Sequence, residues 1–121
     1  MDTIKQTGSK GEDIASVHLE KKGYQILFRN WMFKHKEIDI IAKTKSELVI
    51  VEVKTRAKNS LISPLEAVSM KKQRFIIEAT NAFIEKHNVN LETRFDIISI
   101  IYSNGGYEIE HIENAFYPKV R

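Results

Sequence analysis

The sequence predicts an α/β domain with a central mixed β-sheet flanked by helices, in the order α-β-β-β-α-β-β. Three observations carry this expectation. The stretch EIDIIAKTKSELVIVEVKTR, residues 37–56, reads as two apolar strands joined by the polar turn KTKS. Residues 65–83 place Leu65, Val68, Phe75, Ile76, Ala79 and Phe83 at helical spacing. That helix lies between two apolar runs, 47–54 and 94–102, so the passage reads as strand, helix, parallel strand with a right-handed crossover.

The elements follow in order. Ser9-Lys10-Gly11-Glu12 has the S-x-x-E form of a capping box, so a helix is expected from there, with Ile14, Val17 and Leu19 on its apolar side. Gly23 is its stop signal. Residues 24–28 read as a first strand, and 29–36 as a link in which Trp31 and Phe33 are core anchors. The paired strands are expected at 37–42 and 47–54, and a polar, basic loop at 55–62. Ser63-Pro64-Leu65-Glu66 joins an N-cap serine, a first-turn proline and a glutamate three after the cap, so the second helix is expected from there to about Lys86. Arg94–Tyr102 is a strongly apolar strand, Ser103-Asn104-Gly105-Gly106 a hairpin turn, and 107–112 an edge strand. Residues 114–121 read as irregular.

Composition bounds the function. The 121 residues make one domain, 1–121, long enough for a proper core. No apolar run approaches membrane-spanning length, and the N-terminus lacks a signal-peptide apolar region. With no cysteine, disulfides, thiolate metal sites and cysteine nucleophiles are excluded, and a cytoplasmic location is the natural expectation. The net charge of +3 is small, but it is clustered at residues 34–36, 54–58 and 71–74. Such clusters are usually solvated faces.

The chemistry sits in the 37–56 stretch. Asp39, Glu52 and Lys54 lie inside its most apolar runs, where charge is costly unless paired or holding a metal. Side chains alternate along a strand, so Glu52 shares a face with Lys54, Leu48 and Ile50, and Asp39 with Glu37 and Ile41. A turn over Lys43–Ser46, or over Thr44-Lys45, sets Ile41 opposite Leu48, Asp39 opposite Ile50 and Glu37 opposite Glu52. Asp39 is then diagonal to Glu52, roughly 7–8 Å away, within joint reach of one cation. An odd turn would separate them. Two carboxylates, with the Val53 carbonyl, suit Mg²⁺ or Mn²⁺, and Lys54 suits a scissile phosphate. Against this stand two plainer readings, an ion pair for Glu52–Lys54 and a capping role for Glu12. The histidines show no ligand spacing, and Arg94 with Asp96 reads as a structural pair.

Asp39 followed by Glu52-Val53-Lys54 in this element order resembles the D…(D/E)-x-K core of the restriction-endonuclease-like nuclease superfamily. More closely, the chain resembles the YraN family of small bacterial proteins. The matching pieces are Gly11-Glu12, Arg29-Asn30, Glu37-Ile38-Asp39-Ile40-Ile41, Val51-Glu52-Val53-Lys54-Thr55-Arg56, a lysine near 71–72, and Arg94-Phe95-Asp96. Where that family often has glycine before E-I-D, this chain has Lys36. The family looks like the archaeal Holliday-junction resolvases. The resemblance implies a restriction-endonuclease-like fold and a Mg²⁺-dependent nuclease, with Glu12, Asp39 and Glu52 as acidic residues and Lys54 as catalytic lysine. The expected function is hydrolysis of DNA phosphodiesters, with branched or structured DNA among the substrates and a homodimer compatible with the sequence. Lys54, Arg56, Lys58, Lys71, Lys72 and Arg74 are the expected phosphate contacts. The alternative is a nucleic-acid-binding or partner-binding module that keeps the fold without catalysis.

Overall fold

A computed structural model describes residues 4–118. The elements are α1 (Ile4–Lys21), β1 (Gln25–Phe33), β2 (Lys36–Lys43), β3 (Glu47–Ala57), α2 (Met70–His87), β4 (Glu92–Ser103) and β5 (Gly106–Phe116). The order is the expected one. They form one five-stranded sheet in the order β1-β2-β3-β4-β5. β3 and β4 are parallel and the other neighbours antiparallel, so the sheet is mixed. Among the described residues, no helix is long and apolar enough to cross a membrane.

β3 is the centre, and its sequence says why. Leu48 to Glu52 is buried at every position, which requires cover on both faces. On one face Leu48 and Ile50 pack with Ile41, Ile97 and the α2 residues Ile76, Ala79 and Phe83. On the other, Val49 and Val51 pack with Ile40, Ile98, Ile100 and the α1 residues Ala15 and Leu19. Trp31 and Phe33 join the first cluster, as the core anchors they were read to be; the Trp31 ring meets Phe83 edge-on at 5.3 Å.

Several boundaries move. α1 begins at Ile4, so Ser9-Glu12 is not its cap. A capping box needs a non-helical first residue, and here the backbone is already helical. Glu12 is thereby released from the capping role. Val17 is exposed rather than core, because it stands two residues from Ala15 and so on the opposite side of the helix. Gly11, Ala15 and Leu19, four apart, make the inner face. A Cβ on Gly11 would lie 2.7 Å from the Thr55 methyl, so α1 meets β3 almost backbone to side chain. The expected stop at Gly23 holds, with φ +92.

β1 continues to Phe33, and only Lys34 and His35 turn. Phe33 pairs with Lys36, so a lysine before E-I-D simply closes an ordinary hairpin. β3 runs on to Ala57, three residues into the expected loop. Ser63 does bind the Glu66 N–H through its hydroxyl (3.2 Å), but this caps a single turn. Ser69, extended at φ −62 and ψ 159, interrupts it and caps α2 by accepting from Lys72 N–H. The cap of α2 therefore lies six residues later than Ser63 (63 to 69), and Lys71 and Lys72 fall on the first turn of the helix with Arg74 at the start of the second, rather than near its middle. Leu65, expected in the core, is exposed, while Val68 turns inward. Asn88 ends the helix in the left-handed region, φ 53. β5 extends to Phe116, into the segment read as irregular; residues 119–121 of that segment lie outside the described residues.

The close α1–β3 approach yields a test. Gly11→Ala forces a methyl against the stiff, branched Thr55, and overpacking of this kind costs about 1–3 kcal/mol. Thermal melts should show the loss, and Gly11→Ala with Thr55→Ser should recover most of it. An unchanged melting temperature for Gly11→Ala would mean that α1 does not sit this close.

Candidate metal and nucleic-acid site

The β2–β3 hairpin turns at Lys45-Ser46, one residue later than expected, closed by Thr44 N–H donating to the Glu47 carbonyl at 2.9 Å. The register is Ile40↔Val51, Ile41↔Ile50, Ala42↔Val49 and Lys43↔Leu48. It is displaced by two residues from the expected pairing of Ile41 with Leu48. An even displacement keeps the faces, so Asp39 and Glu52 still share one. They come closer than a diagonal pair, since the position following Ile40↔Val51 sets them opposite each other.

At that point the ladder opens. Instead of a backbone carbonyl, the Asp39 carboxylate accepts the Val53 N–H, Oδ2 at 2.8 Å. Val53 thus meets the site through its amide as well as lying between Glu52 and Lys54. Burial pushes the Asp39 carboxyl up to about 8, with the charge of Glu52 and a hydrogen bond between the two carboxyl groups adding to the shift. The Val53 N–H and the charge of Lys72 pull the other way without prevailing. Glu52 is itself 5% exposed.

Two lysines approach Glu52. Lys54 Nζ stands 3.8 Å away along the strand, and Lys72 Nζ 3.6 Å away from the first turn of α2. Neither distance is that of a hydrogen bond. The paired carboxylates are therefore offset only in part. Lys72, read as a phosphate contact, belongs to this group as well.

Glu12 reaches the site's edge from α1. Asn30 Nδ2 donates to its Oε1 at 2.9 Å, and Arg29 lies 3.8 Å from the same oxygen. Burial raises the Glu12 pKa; the Asn30 bond lowers it, and the nearby charge of Asp39 raises it again. Asn30 sits at φ 52 between the Arg29↔Ile40 and Trp31↔Ile38 pairs, so it falls opposite Asp39. The Arg29-Asn30 motif thus has a role that strand patterning did not reveal. Among the described residues, Glu12, Asp39 and Glu52 do not close into a cluster of ligand atoms; the group that does is elsewhere.

That group is Asp96, His111 and Glu113, with ligand atoms within 4.8 Å of one another. Asp96 pairs with Val51, so it lies on the α1 face, opposite Glu52. It was read as half of a structural pair with Arg94, and the geometry agrees. Arg94 binds both Asp96 oxygens at 2.9 Å, and also Glu47, Glu113 and the Tyr24 hydroxyl. Its guanidinium already supplies the positive charge that an ion would bring. Burial opposes the Asp96 charge, but the bonds from His111 and Arg94 outweigh it and hold the carboxyl below its usual range. His111 Nε2 completes the shell at 2.7 Å from Asp96. His18 meets the His111 ring edge-on at 5.5 Å.

Of the expected phosphate contacts, Arg56 is engaged with the Ser99 hydroxyl, the Ile62 carbonyl and Glu110. Lys58, Lys71 and Arg74 are exposed.

The raised Asp39 pKa has a consequence for stability. A carboxyl that ionises at about 8 folded and near 3.8 unfolded lets the unfolded state release its proton first. In EDTA, stability should therefore fall as pH rises from about 4 to about 8. Asp39→Asn keeps an oxygen for Val53 N–H and removes the titration. It should stabilise the protein at pH 8 by about 1–3 kcal/mol and make little difference near pH 4. Denaturant melts at both pH values measure this; destabilisation at pH 8 would mean that the Asp39 charge holds the fold together.

The model of the Uncharacterised protein family UPF0102 matches residues 11–100 of this chain. The UPF0102 protein of Parabacteroides distasonis is 46% identical over 114 residues, covering 94% of each chain. Those of Phocaeicola vulgatus and Porphyromonas gingivalis are 45% and 46% identical over 113 and 111 residues, covering 93% and 90% of this chain and 93% and 82% of their own. As the YraN-like motifs lead one to expect, the chain belongs to the UPF0102 family.

Proposed function

We propose that this protein is a metal-dependent endonuclease that hydrolyses DNA phosphodiester bonds, using Mg²⁺ or Mn²⁺ held by Asp39 and Glu52. The supporting observation is the carboxylate pair itself. Asp39 and Glu52 are kept together although one is pushed up to about 8, and the nearest ammonium groups stand off at 3.6 and 3.8 Å. A purely structural carboxylate is treated differently in this fold, as the fully bonded Asp96 illustrates.

The donor set fits a hard divalent cation. Two carboxylates and the Val53 carbonyl are few ligands, which suits Mg²⁺ retaining water and taking substrate phosphate oxygens. When bound, such a cation supplies a hydroxide nucleophile near neutral pH and polarises the phosphoryl oxygen. The chain's own residues have separate tasks. Lys54 offsets charge developing on the phosphate, with Lys72 beside it. Glu12, oriented by Asn30, is a further carboxylate at the edge of the site. Arg56, Lys58, Lys71, Lys72 and Arg74 bind the phosphate backbone on either side. A cysteine-free nuclease of this kind fits the reducing cytoplasm, where the chromosome lies.

One observation favours a second reading, a DNA- or partner-binding module that does not cleave. Lys54 and Lys72 both lean on Glu52, so the carboxylate pair is partly offset from within.

Cleavage of linear, nicked and four-way-junction DNA with Mg²⁺, Mn²⁺ or EDTA separates the two. The expected outcome is metal-dependent cleavage, reduced at least about a hundred-fold in Asp39→Asn and in Lys54→Ala. By calorimetry Lys54→Ala should still bind metal, while Asp39→Asn should not. DNA binding without cleavage in either metal would favour the module. Absence of binding at low salt, where phosphate contacts are strongest, would overturn the nuclease and the DNA-binding module alike and leave only a partner-binding module.

A further inference from the structure

Apart from the phosphate contact of Lys58, the connector between β3 and α2, residues 58–69, plays no part in the chemistry above. It leaves β3 just beyond Glu52 and Lys54 and enters α2 just before Lys72, so the site holds both its ends. Polar bonds fix its course. Lys58 N–H donates to the Tyr102 carbonyl at 3.0 Å, Ser60 N–H to the Ala57 carbonyl at 3.1 Å, and Arg56 reaches the Ile62 carbonyl at 3.4 Å. Pro64 and Val68 turn inward, yet the larger apolar side chains face outward. Leu61 is 99% exposed, Ile62 53% and Leu65 44%, and Met70 at the helix start is 41% exposed. One exposed leucine needs no explanation, but four large apolar groups within ten residues of an anchored segment mark a surface that something covers.

The surroundings identify what covers it. Lys58, Lys71 and Arg74 flank the segment, exposed and without ion-pair partners among the described residues. Across residues 54–74 six cations stand against one carboxylate, Glu66. A cationic rim around apolar side chains complements a polyanion with an apolar interior, and nucleic acid has phosphates outside and base faces within. A second copy of this chain would instead set like charges against each other.

Resting on the nuclease reading of the adjoining site, we infer that Leu61 and Ile62 form an apolar wedge that inserts against bases exposed at an interruption in a duplex. The connector then holds the backbone beside that interruption against Asp39 and Glu52. The substrate class is duplex DNA with unpaired bases next to the scissile phosphate, rather than continuous duplex.

The test compares a continuous duplex with the same duplex carrying a short bulge that contains 2-aminopurine. Affinities are measured in EDTA at low salt, for wild type and for Leu61→Ser with Ile62→Ser. Both residues are exposed, so the variant should keep its fold. Wild type should bind the bulged duplex about ten-fold tighter, because the bulge spares the wedge the unstacking it would have to impose on continuous duplex, and change the 2-aminopurine fluorescence. The variant should bind continuous duplex like wild type and lose both the preference and the fluorescence change. Equal wild-type affinities, or a preference that survives in the variant, would overturn the wedge and leave the nuclease reading standing. Failure of wild type to bind either duplex would overturn that reading and the wedge with it. Sedimentation of both proteins covers the remaining occupant: a wild-type dimer that the variant converts to monomer would assign the patch to self-association and overturn the wedge.

Discussion

Asp39 and Glu52 share one sheet face at the point where the β2–β3 ladder opens, and most of the surrounding structure bears on their mutual repulsion. Asp39 stands in for the missing backbone acceptor of Val53, so the strand end is satisfied only while that side chain stays inward. The Ser69 cap starts α2 where Lys72 can reach Glu52. Gly11 lets α1 approach β3 closely enough for Glu12 to stand near Asp39. Each of these features brings charge to the same place, and none completes the neutralisation.

The opposite face of the sheet shows what completion looks like. There Arg94 is held by Asp96, Glu47, Glu113 and Tyr24, and its bonds to Asp96 raise its already high pKa. Both Asp96 oxygens are bonded, by Arg94, His111 and the Asn114 N–H. Such a network ties β5, and Tyr24 ahead of β1, to β4. It asks for no further ligand. The contrast between a closed polar network and an open one, a single sheet apart, is the physical basis for reading the first as structural and for proposing chemistry at the second.

Much of this was legible in the sequence, for reasons that can be named. The alternation of VIVEVK set Glu52 and Lys54 on one face whatever the turn, and the even length of the hairpin loop protected the pairing with Asp39. The exact turn was not legible, because Lys43, Thr44, Lys45 and Ser46 offer no glycine or asparagine to mark it. Both capping boxes misled in the same way. S-x-x-E is a local signal, and whether it starts a helix depends on the residues before it at Ser9 and after it at Ser63. The strand through Trp31 and Phe33 was hidden by the charged turn residues that follow. The meeting of Asp96 with His111, fifteen residues apart, followed from the β4–β5 register rather than any spacing. Asn30 carried no signal beyond its motif, since a left-handed residue within a strand cannot be read from alternation.

On the proposed function, the Asp39 carboxyl holds its proton beside Glu52 until a divalent cation displaces it. Carbon-13 NMR of the two side-chain carboxyls in labelled protein tests it most directly, titrated with pH in EDTA and again with Mg²⁺. In EDTA one carboxyl of the pair should remain protonated at neutral pH and ionise near 8; on adding Mg²⁺ it should ionise at lower pH, with both resonances shifting together. An Asp39 carboxyl already ionised well below neutral pH in EDTA, with no response of either resonance to the cation, would contradict it.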